Sequence, residues 1–132
     1  MIHKEKIAKP LLRISMSLVF LYFGFQQVYA PDNWTGFVPD FLAGTIMTSN
    51  NWVVLNGVVE LSLGIFLLIG LYSKFSSLIL SLHLFGIVFS IGLTPLGVRD
   101  FGLAFATLVV FLNGADEFCL DWKLKIMNPR KI

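Results

Sequence analysis

The sequence predicts an all-α fold, an integral membrane four-helix bundle with a short interfacial helix in its first outer loop. Hydrophobic residues make up 56% of the 132 residues and charged residues only 14%, whereas soluble domains carry ~25% charged residues. Four long apolar runs fill most of the chain. Of the ten basic residues, all except Arg99 lie on one side of these runs if both termini are cytoplasmic, as the positive-inside rule expects.

The first run, residues 11–30, is long enough to cross a bilayer, because about 20 helical residues span its hydrocarbon core. Four basic residues lie before the run or at its start, on the predicted cytoplasmic side: Lys4, Lys6, Lys9 and Arg13. The end of the run, Val28-Tyr29-Ala30, loosely resembles a signal-peptide cleavage site. The length of the run, its Gln26-Gln27 pair and the following Pro31 argue against cleavage, so we predict a retained span.

The first loop, residues 31–50, carries Asp32 and Asp40 but no basic residue, which suits the outer face. Its apolar residues recur at helical spacing, and they are Trp34, Phe37, Val38, Phe41, Leu42 and Ile46. We predict a short helix lying in the interface, with Pro39 either in its first turn or breaking it there. The loop is then either a surface lid packed on the bundle or a gate over an outward-facing cavity.

The second and third spans are predicted at residues 51–71 and 75–93, with a short turn around Lys74 between them. A connection this short makes the two helices antiparallel neighbours. The position of Lys74 in the turn favours the cytoplasmic side.

The fourth span is predicted at residues 99–115, after a turn that Pro95 and Gly97 indicate. The last segment, residues 116–132, is interpreted as a cytoplasmic tail that touches the membrane surface. Its anchoring residues are Trp122, Lys123, Lys125, Arg130 and Lys131, since aromatic and basic side chains favour the interface. The whole chain is thus predicted to be a single membrane domain.

Small and polar residues recur on one face of each predicted span, where they favour helix association in lipid. In chain order they are Arg13, Ser17, Gly24 and Gln27; Asn56, Gly57, Glu60 and Gly64; Ser76, His83, Gly86, Ser90 and Thr94; and Arg99, Gly102, Ala106 and Asn113. We predict that these four polar faces meet along a partly polar bundle axis.

Glu60 and His83 lie near the middle of the second and third spans. Since those spans are neighbours, we expect the two side chains to contact each other directly or through water. An ionised carboxylate at the bilayer centre costs roughly 2.5–3.5 kcal/mol on insertion scales, so intramembrane ionisable residues mark functional sites. We predict that Glu60 and His83 are the catalytic, proton-handling pair. The alternative is a packed, hydrogen-bonded histidine without a function.

Four further polar residues in the outer half of the predicted bundle are assigned to substrate binding: Gln27, Asn56, Arg99 and Asp100. With Glu60 and His83 they would line a polar cavity that opens outward beneath the loop. The cytoplasmic half of the spans is more apolar. Arg99 and Asp100 can instead form only an interface ion pair that orients the last helix.

The composition also excludes several kinds of site. Cys119 is the only cysteine, so neither an intrachain disulfide nor a CxxC redox pair can form. One histidine and one carboxylate fall short of the usual three or four metal ligands, so no metal is expected. The net charge of +2 comes from basic residues beside the spans. The expected partner is therefore the lipid bilayer rather than nucleic acid, and homo-oligomerisation stays open.

Five stretches of sequence carry a family resemblance: residues 32–39, 56–60, 64–71, His83 and 99–103. Together, and in this order, they resemble the DoxX family of small four-span bacterial membrane proteins. The resemblance implies an inner-membrane four-helix fold and an association with membrane redox complexes, such as those of thiosulfate:quinone oxidation. Some relatives are linked to sulfurtransferase or superoxide dismutase partners. The resemblance supports Glu60, His83, Arg99 and Asp100 as the site without defining a substrate.

Three functions are compatible with these observations. The leading hypothesis is a redox-associated subunit that binds a quinone or a similar small molecule in the outward-opening cavity and has other subunits of a membrane redox complex as partners. The first alternative is a non-catalytic assembly or scaffold subunit whose polar faces only hold helices together. The second is a small proton-coupled transporter component, which requires another cavity toward the cytoplasm. Whether the chain is catalytic by itself is left open.

Overall fold

A computed structural model describes residues 4–42, 44 and 46–120 of the chain. It contains four long α-helices, namely α1 (Lys4–Tyr29), α2 (Ser49–Ile69), α3 (Ser73–Ile91) and α4 (Pro95–Asn113). A 3-10 helix over Pro31–Phe37 lies in the first loop, and no strand occurs in the described ranges. Each long helix is apolar enough to cross a membrane. The predicted all-α membrane bundle is confirmed.

The helix in the first loop is shorter than the apolar spacing predicts. It ends at Phe37, and Val38 already has an extended backbone with φ −71° and ψ 126°. A residue that precedes proline avoids the helical conformation, so Pro39 follows the break rather than starting a helix. Phe41 and Ile46, which the spacing places on the apolar face, are 76% and 86% exposed.

The fourth helix begins at Pro95 rather than at Arg99. The Thr94 hydroxyl accepts a hydrogen bond from the Gly97 backbone N–H at 3.0 Å, which caps the helix. Proline suits the first turn because no intrahelical partner exists there for its missing N–H. The residues that indicate a turn are therefore the cap and first turn of α4, and Arg99 and Asp100 lie in its second turn.

Two glycines let α1 and α2 touch through their backbones. A Cβ atom added to Gly57 would lie 2.8 Å from the Gly24 carbonyl oxygen, and one added to Gly24 would lie 3.0 Å from the Gly57 oxygen. Small residues permit such close approach of helices in lipid. The contact places Gln27, one turn beyond Gly24, beside Glu60, one turn beyond Gly57.

The other two helices form a second pair. The Ser81 hydroxyl of α3 donates a hydrogen bond to the Ala104 carbonyl oxygen of α4 at 3.0 Å, and Phe85 meets Phe105 edge to face at 5.2 Å between ring centroids. The two helix pairs meet around one apolar core formed by Met16, Phe20, Leu67, Leu80, Leu84, Ala104 and Val110.

The predicted polar faces are confirmed for the first two spans and only in part for the others. In α1 and α2 every predicted residue is buried or half-buried. In α3 the outer members Gly86, Ser90 and Thr94 are exposed. In α4 the prediction holds only in part, because Ala106 and Asn113 are half-buried but Arg99 and Gly102 are exposed, whereas Asp100, Ala104 and Thr107 are buried. Alanine and threonine at helical spacing carry too weak a polarity signal to set the face of α4.

A buried ion pair closes the end of the bundle at which α1 begins, here called the inner end after the predicted orientation, with the lid end called the outer end. Arg13 of α1 is 2% exposed and donates to the Asp116 carboxylate at 2.8 Å. Its Nη1 also donates to the Leu67 and Leu68 carbonyl oxygens at 2.8 and 2.7 Å. Both lie in the last turn of α2, where carbonyl oxygens lack the partners of a continuing helix, although the Leu67 oxygen also accepts from the Gly70 N–H at 3.2 Å. Asp116, which the sequence analysis assigns to the tail, is thus part of the inner wall.

Cys119 lies in the same inner wall and is fully buried. Its sulfur accepts a hydrogen bond from the Asp116 backbone N–H at 3.3 Å, and its backbone packs on Gly70, which has a φ of 76°. Burial raises the pKa of the Cys119 thiol, because a thiolate is poorly solvated there. The proposed anchor Trp122 and the basic residues after it lie outside the described residues.

Candidate functional site

A cavity of about 690 Å³ occupies the outer half of the bundle, between the α1–α2 pair and the α3–α4 pair. This volume lies within the ~300–1,000 Å³ of small-molecule sites. All six predicted site residues line it: Gln27, Asn56, Glu60, His83, Arg99 and Asp100. The remaining walls are mostly apolar, with the side chains of α1, α2, α3 and the first loop contributing. The polar outer cavity is therefore present, and its polar groups fall into two clusters.

The first cluster is a ring of hydrogen bonds on the cavity floor. Gln27 Nε2 donates to Glu60 Oε2 at 3.1 Å. Asn56 Nδ2 donates both to Glu60 Oε1 at 3.1 Å and to Gln27 Oε1 at 2.5 Å. Both oxygens of Glu60 thus accept from side-chain amides although Glu60 is only 4% exposed. This arrangement suits an ionised carboxylate, which only accepts hydrogen bonds.

His83 completes the floor from α3. Its Nε2 lies 3.4 Å from Glu60 Oε1, so the contact expected between the two residues is present. This nitrogen is buried and makes no hydrogen bond within the described residues. A buried polar atom without a partner costs about 1–3 kcal/mol. His83 Nε2 is therefore a polar group on the cavity floor that a ligand could satisfy.

The second cluster lies nearer the mouth and centres on Arg99. Its guanidinium donates to Asp100 Oδ1 at 3.1 and 3.2 Å through Nη2 and Nε. The same guanidinium lies over the Phe23 ring of α1, 4.9 Å from the ring centroid, which is a cation–π distance. The Arg99 side chain is 42% exposed. It can therefore offer donors to a ligand while Asp100 and Phe23 hold its position.

Phe23 is a site residue that the sequence analysis missed. It shares a helix face with Gln27, four residues on, and its ring meets Trp34 edge to face at 5.7 Å between centroids. Trp34 in turn lies 5.8 Å from Phe37. The spacing of Phe23 and Gln27 was the available signal, but it is weak in a chain with 13 phenylalanines. Phe23 links Arg99 to the first loop.

The loop of residues 31–48, here called the lid, covers the outer end of the cavity. Trp34, Phe37 and Leu42 of the lid line the cavity. Trp52 Nε1 donates to the Leu42 carbonyl oxygen at 2.9 Å, and Asn50 Nδ2 donates to Asp32 Oδ1 at 2.5 Å. Both bonds tie the lid to the first turn of α2. The lid therefore packs mainly on the α1–α2 pair.

The inner side of the bundle has no comparable cavity in the part of the chain that the structure describes. A shallow groove lies on this side between the start of α1 and the end of α4. Its lining includes Glu5, Lys9 and Asn113. It shares no lining residue with the outer cavity. The apolar core and the Arg13–Asp116 pair lie between the two spaces.

No group of three His, Cys, Asp or Glu side chains within the described ranges could hold a metal ion. The model of one protein family, described as DoxX, matches residues 8–93 of the chain. The matched region contains most of α1, the lid, α2 and α3, and with them Gln27, Asn56, Glu60 and His83. Arg99 and Asp100 lie beyond it. Searches of the curated proteins and of the solved structures gave no significant match.

Proposed function

This chain belongs to the DoxX family, and from that premise we propose that it is a redox-associated subunit whose outer cavity binds a quinone or a similar small molecule. The chain is a multi-pass membrane protein. We further propose the bacterial inner membrane as its location, with both termini in the cytoplasm, because of the basic residues at its predicted inner side. Electrons would come from another subunit of a membrane redox complex.

One observation carries the proposal most directly, namely the buried His83 Nε2 on the floor of a mostly apolar cavity, which lies 3.4 Å from Glu60 Oε1 but makes no hydrogen bond within the described residues. Ligand sites in proteins are largely apolar with a few placed polar groups. A quinone has this character, since an apolar ring carries two carbonyl oxygens that accept hydrogen bonds. His83 on the floor and Arg99 near the mouth could donate hydrogen bonds to these two oxygens.

The proposed roles follow from the two clusters. Glu60 and His83 would exchange protons with the ligand, because the carboxylate can accept a proton and the imidazole can hold one near neutral pH. Arg99 and Gln27 would hold polar or anionic groups of the ligand. Asn56 and Asp100 would orient Gln27, Glu60 and Arg99 through the hydrogen bonds described above.

The two alternative functions receive less support. A scaffold subunit has no need of a large cavity, and polar faces that served only assembly would pack against each other. A transporter component would need a route to the inner side, whereas the Arg13–Asp116 pair and the apolar core stand between the outer cavity and the inner groove. The cavity therefore favours ligand binding over both alternatives.

The test is quinone binding by the purified protein. Binding is measured as quenching of the tryptophan fluorescence. Trp34 and Trp52 line the cavity, so replacing Trp122 by Phe leaves only reporters next to the site. We expect Glu60→Gln and His83→Ala to weaken binding at least about tenfold, which corresponds to the loss of one or two hydrogen bonds to a charged group.

A matched control is Glu117→Gln, because Glu117 is a half-exposed carboxylate at the inner end and pairs only loosely with Lys6 at 3.6 Å. It should bind like the parent protein. Equal binding by the parent, Glu60→Gln and His83→Ala would contradict the assignment of the site, and no binding by the parent would contradict the proposed function.

A further inference from the structure

We infer that the outer cavity opens sideways into the lipid between α2 and α3, and that its ligand carries an apolar chain which leaves through this gap. The inference rests on the proposed function and narrows its ligand to a lipid-soluble amphiphile. Such a ligand would enter from the outer leaflet of the membrane rather than from water.

Three sides of the cavity are closed by direct contacts. The α1–α2 side is closed by the backbone contact at Gly24 and Gly57. The α3–α4 side is closed by the Ser81 hydrogen bond to Ala104 and by the edge-to-face contact of Phe85 with Phe105 in the same seam. On the α1–α4 side, the Arg99 guanidinium lies against the Phe23 ring at 4.9 Å. The lid covers the outer end.

The fourth side, between α2 and α3, is different. The two helices are joined at the inner end, and their outermost polar contact is the Glu60–His83 pair at 3.4 Å. Farther out, no hydrogen bond, ion pair or ring contact joins α2 to α3 within the residues that the structure describes. The polar contacts between these two helices therefore stop at the Glu60–His83 pair.

The residues along this gap face both the cavity and the outside. Leu55 of α2 and Phe89 of α3 line the cavity, yet they are 46% and 89% exposed. Gly86 and Ser90 of α3 also line it and are exposed. Lining residues this exposed indicate an opening in the wall; the lid has such residues too, Phe37 and Phe41, but these lie at the outer end rather than between α2 and α3. The rim of the opening is mostly apolar.

The gap lies at the depth of the acyl chains. Leu55 is six residues from the outer start of α2 at Ser49, and Gly86 is five residues from the outer end of α3 at Ile91. At about 1.5 Å per residue both lie roughly 8–9 Å inside the helix ends. A polar head against Glu60 and His83 would thus direct an attached chain past Leu55 and Phe89 into lipid.

Two glycines allow a matched test of this opening. A Cβ atom at Gly86 or at Gly102 would meet no other atom within 4 Å, so either position accepts a larger side chain without a backbone clash. Gly86 lines the cavity and Gly102 does not. Gly86→Phe should obstruct the gap, whereas Gly102→Phe adds the same ring to the outer surface of α4. Ser90→Phe, on the same rim as Gly86, is a second obstructing variant.

The measurement is the association rate of decylubiquinone and of its chain-free parent quinone with protein in lipid nanodiscs. Quenching of Trp34 and Trp52 in the Trp122→Phe background reports it. We expect Gly86→Phe and Ser90→Phe to slow association of decylubiquinone at least about tenfold and to affect the chain-free quinone less. Gly102→Phe should leave both rates unchanged.

The possible outcomes distinguish a failure of the lateral opening from a failure of the proposed function. Unchanged decylubiquinone rates in both rim variants, with binding by the parent protein, would overturn the lateral opening and leave the proposed function standing. Equal slowing by Gly102→Phe would also overturn the opening, because that ring lies away from the cavity. An absence of quinone binding by the parent protein would overturn the proposed function and this inference together.

Discussion

At the scale of single residues, the cavity floor shows how a membrane protein can hold a carboxylate in its interior. Glu60 is surrounded by the amides of Gln27 and Asn56, which replace the hydrogen bonds of water. His83 is close by but makes no hydrogen bond to it. The floor therefore combines a carboxyl group whose hydrogen bonds are satisfied with a ring nitrogen that makes none.

Arg13 leads to a prediction on stability. Arg13→Met would leave the buried Asp116 carboxylate without its cation, and breaking a buried pair in this way costs about 3–5 kcal/mol. It would also remove the donors to Leu67 and Leu68. We expect a clear fall in the melting temperature, measured by circular dichroism in detergent.

Lys6→Met is the control, because Lys6 and Glu117 are both about half exposed and exposed pairs contribute ~0–1 kcal/mol. The double variant Arg13→Met with Asp116→Leu should recover part of the loss, since no charge is then left unpaired. Equal melting temperatures for Arg13→Met and Lys6→Met would contradict the structural role of the pair.

Much of the site could be predicted at this scale, and the reason is chemical. Polar residues are rare in apolar spans, so Gln27, Asn56, Glu60 and His83 stand out in the sequence. Asp116 did not stand out, because it follows the last apolar run and resembles any polar residue of a tail. Its burial depends on the path of the chain after Gly114, which no local pattern determines.

At the scale of helices, the two pairs differ in how their partners are joined. α1 and α2 touch through glycine backbones, and this contact sets the geometry of the cavity floor. α3 and α4 are joined by one hydroxyl hydrogen bond and by aromatic rings.

The contact at Gly57 provides a prediction on this scale. Gly57→Val would place methyl groups against the Gly24 backbone, and overpacking of this kind costs about 1–3 kcal/mol. The helices would separate, and Gln27 Nε2 could no longer donate its hydrogen bond to Glu60. We expect both a lower melting temperature and a loss of quinone binding.

Gly102→Val is the matched control, since a side chain there meets open space. It should melt within a few degrees of the parent protein and bind normally. If Gly57→Val behaved like Gly102→Val in both measurements, the close approach of α1 and α2 would not be what positions the floor.

Helix ends were predicted less well than helix centres. Length and hydropathy locate a span, but side-chain hydrogen bonds and prolines decide where it begins. The sequence around Pro95 indicates a turn rather than a helix start. The Thr94 cap that begins α4 depends on one hydrogen bond from a backbone N–H, and no sequence pattern shows such a bond. In the lid, helical spacing of apolar residues continues past Pro39, although Val38 has already left the helical conformation.

At the scale of the whole molecule, the proposed orientation can be tested with the single cysteine removed. In a Cys119→Ser background, Asn33→Cys places a thiol in the lid and Lys6→Cys places one at the start of α1. If the termini are cytoplasmic, a membrane-impermeant maleimide should label Asn33→Cys in spheroplasts. It should label Lys6→Cys only after the membrane is permeabilised.

The unmodified protein serves as the control, because its Cys119 is buried and should resist labelling in both conditions. Labelling of Lys6→Cys from outside, alone or together with Asn33→Cys, would contradict the orientation. The lid and the cavity would then face the cytoplasm, and the direction of ligand access would be reversed.

The contacts of Arg13 fix α2 at its inner end, so a tilt of this helix would turn about that end. α2 has 21 residues and is about 31 Å long, and its inner end is the part that Arg13 holds. A tilt of about 5° around that pivot displaces the outer end of a helix of this length by almost 3 Å, while the pivot itself hardly moves. Small rotations of this kind can thus widen or narrow the space above Glu60 with little repacking of the core, since only the outer ends of the helices move far.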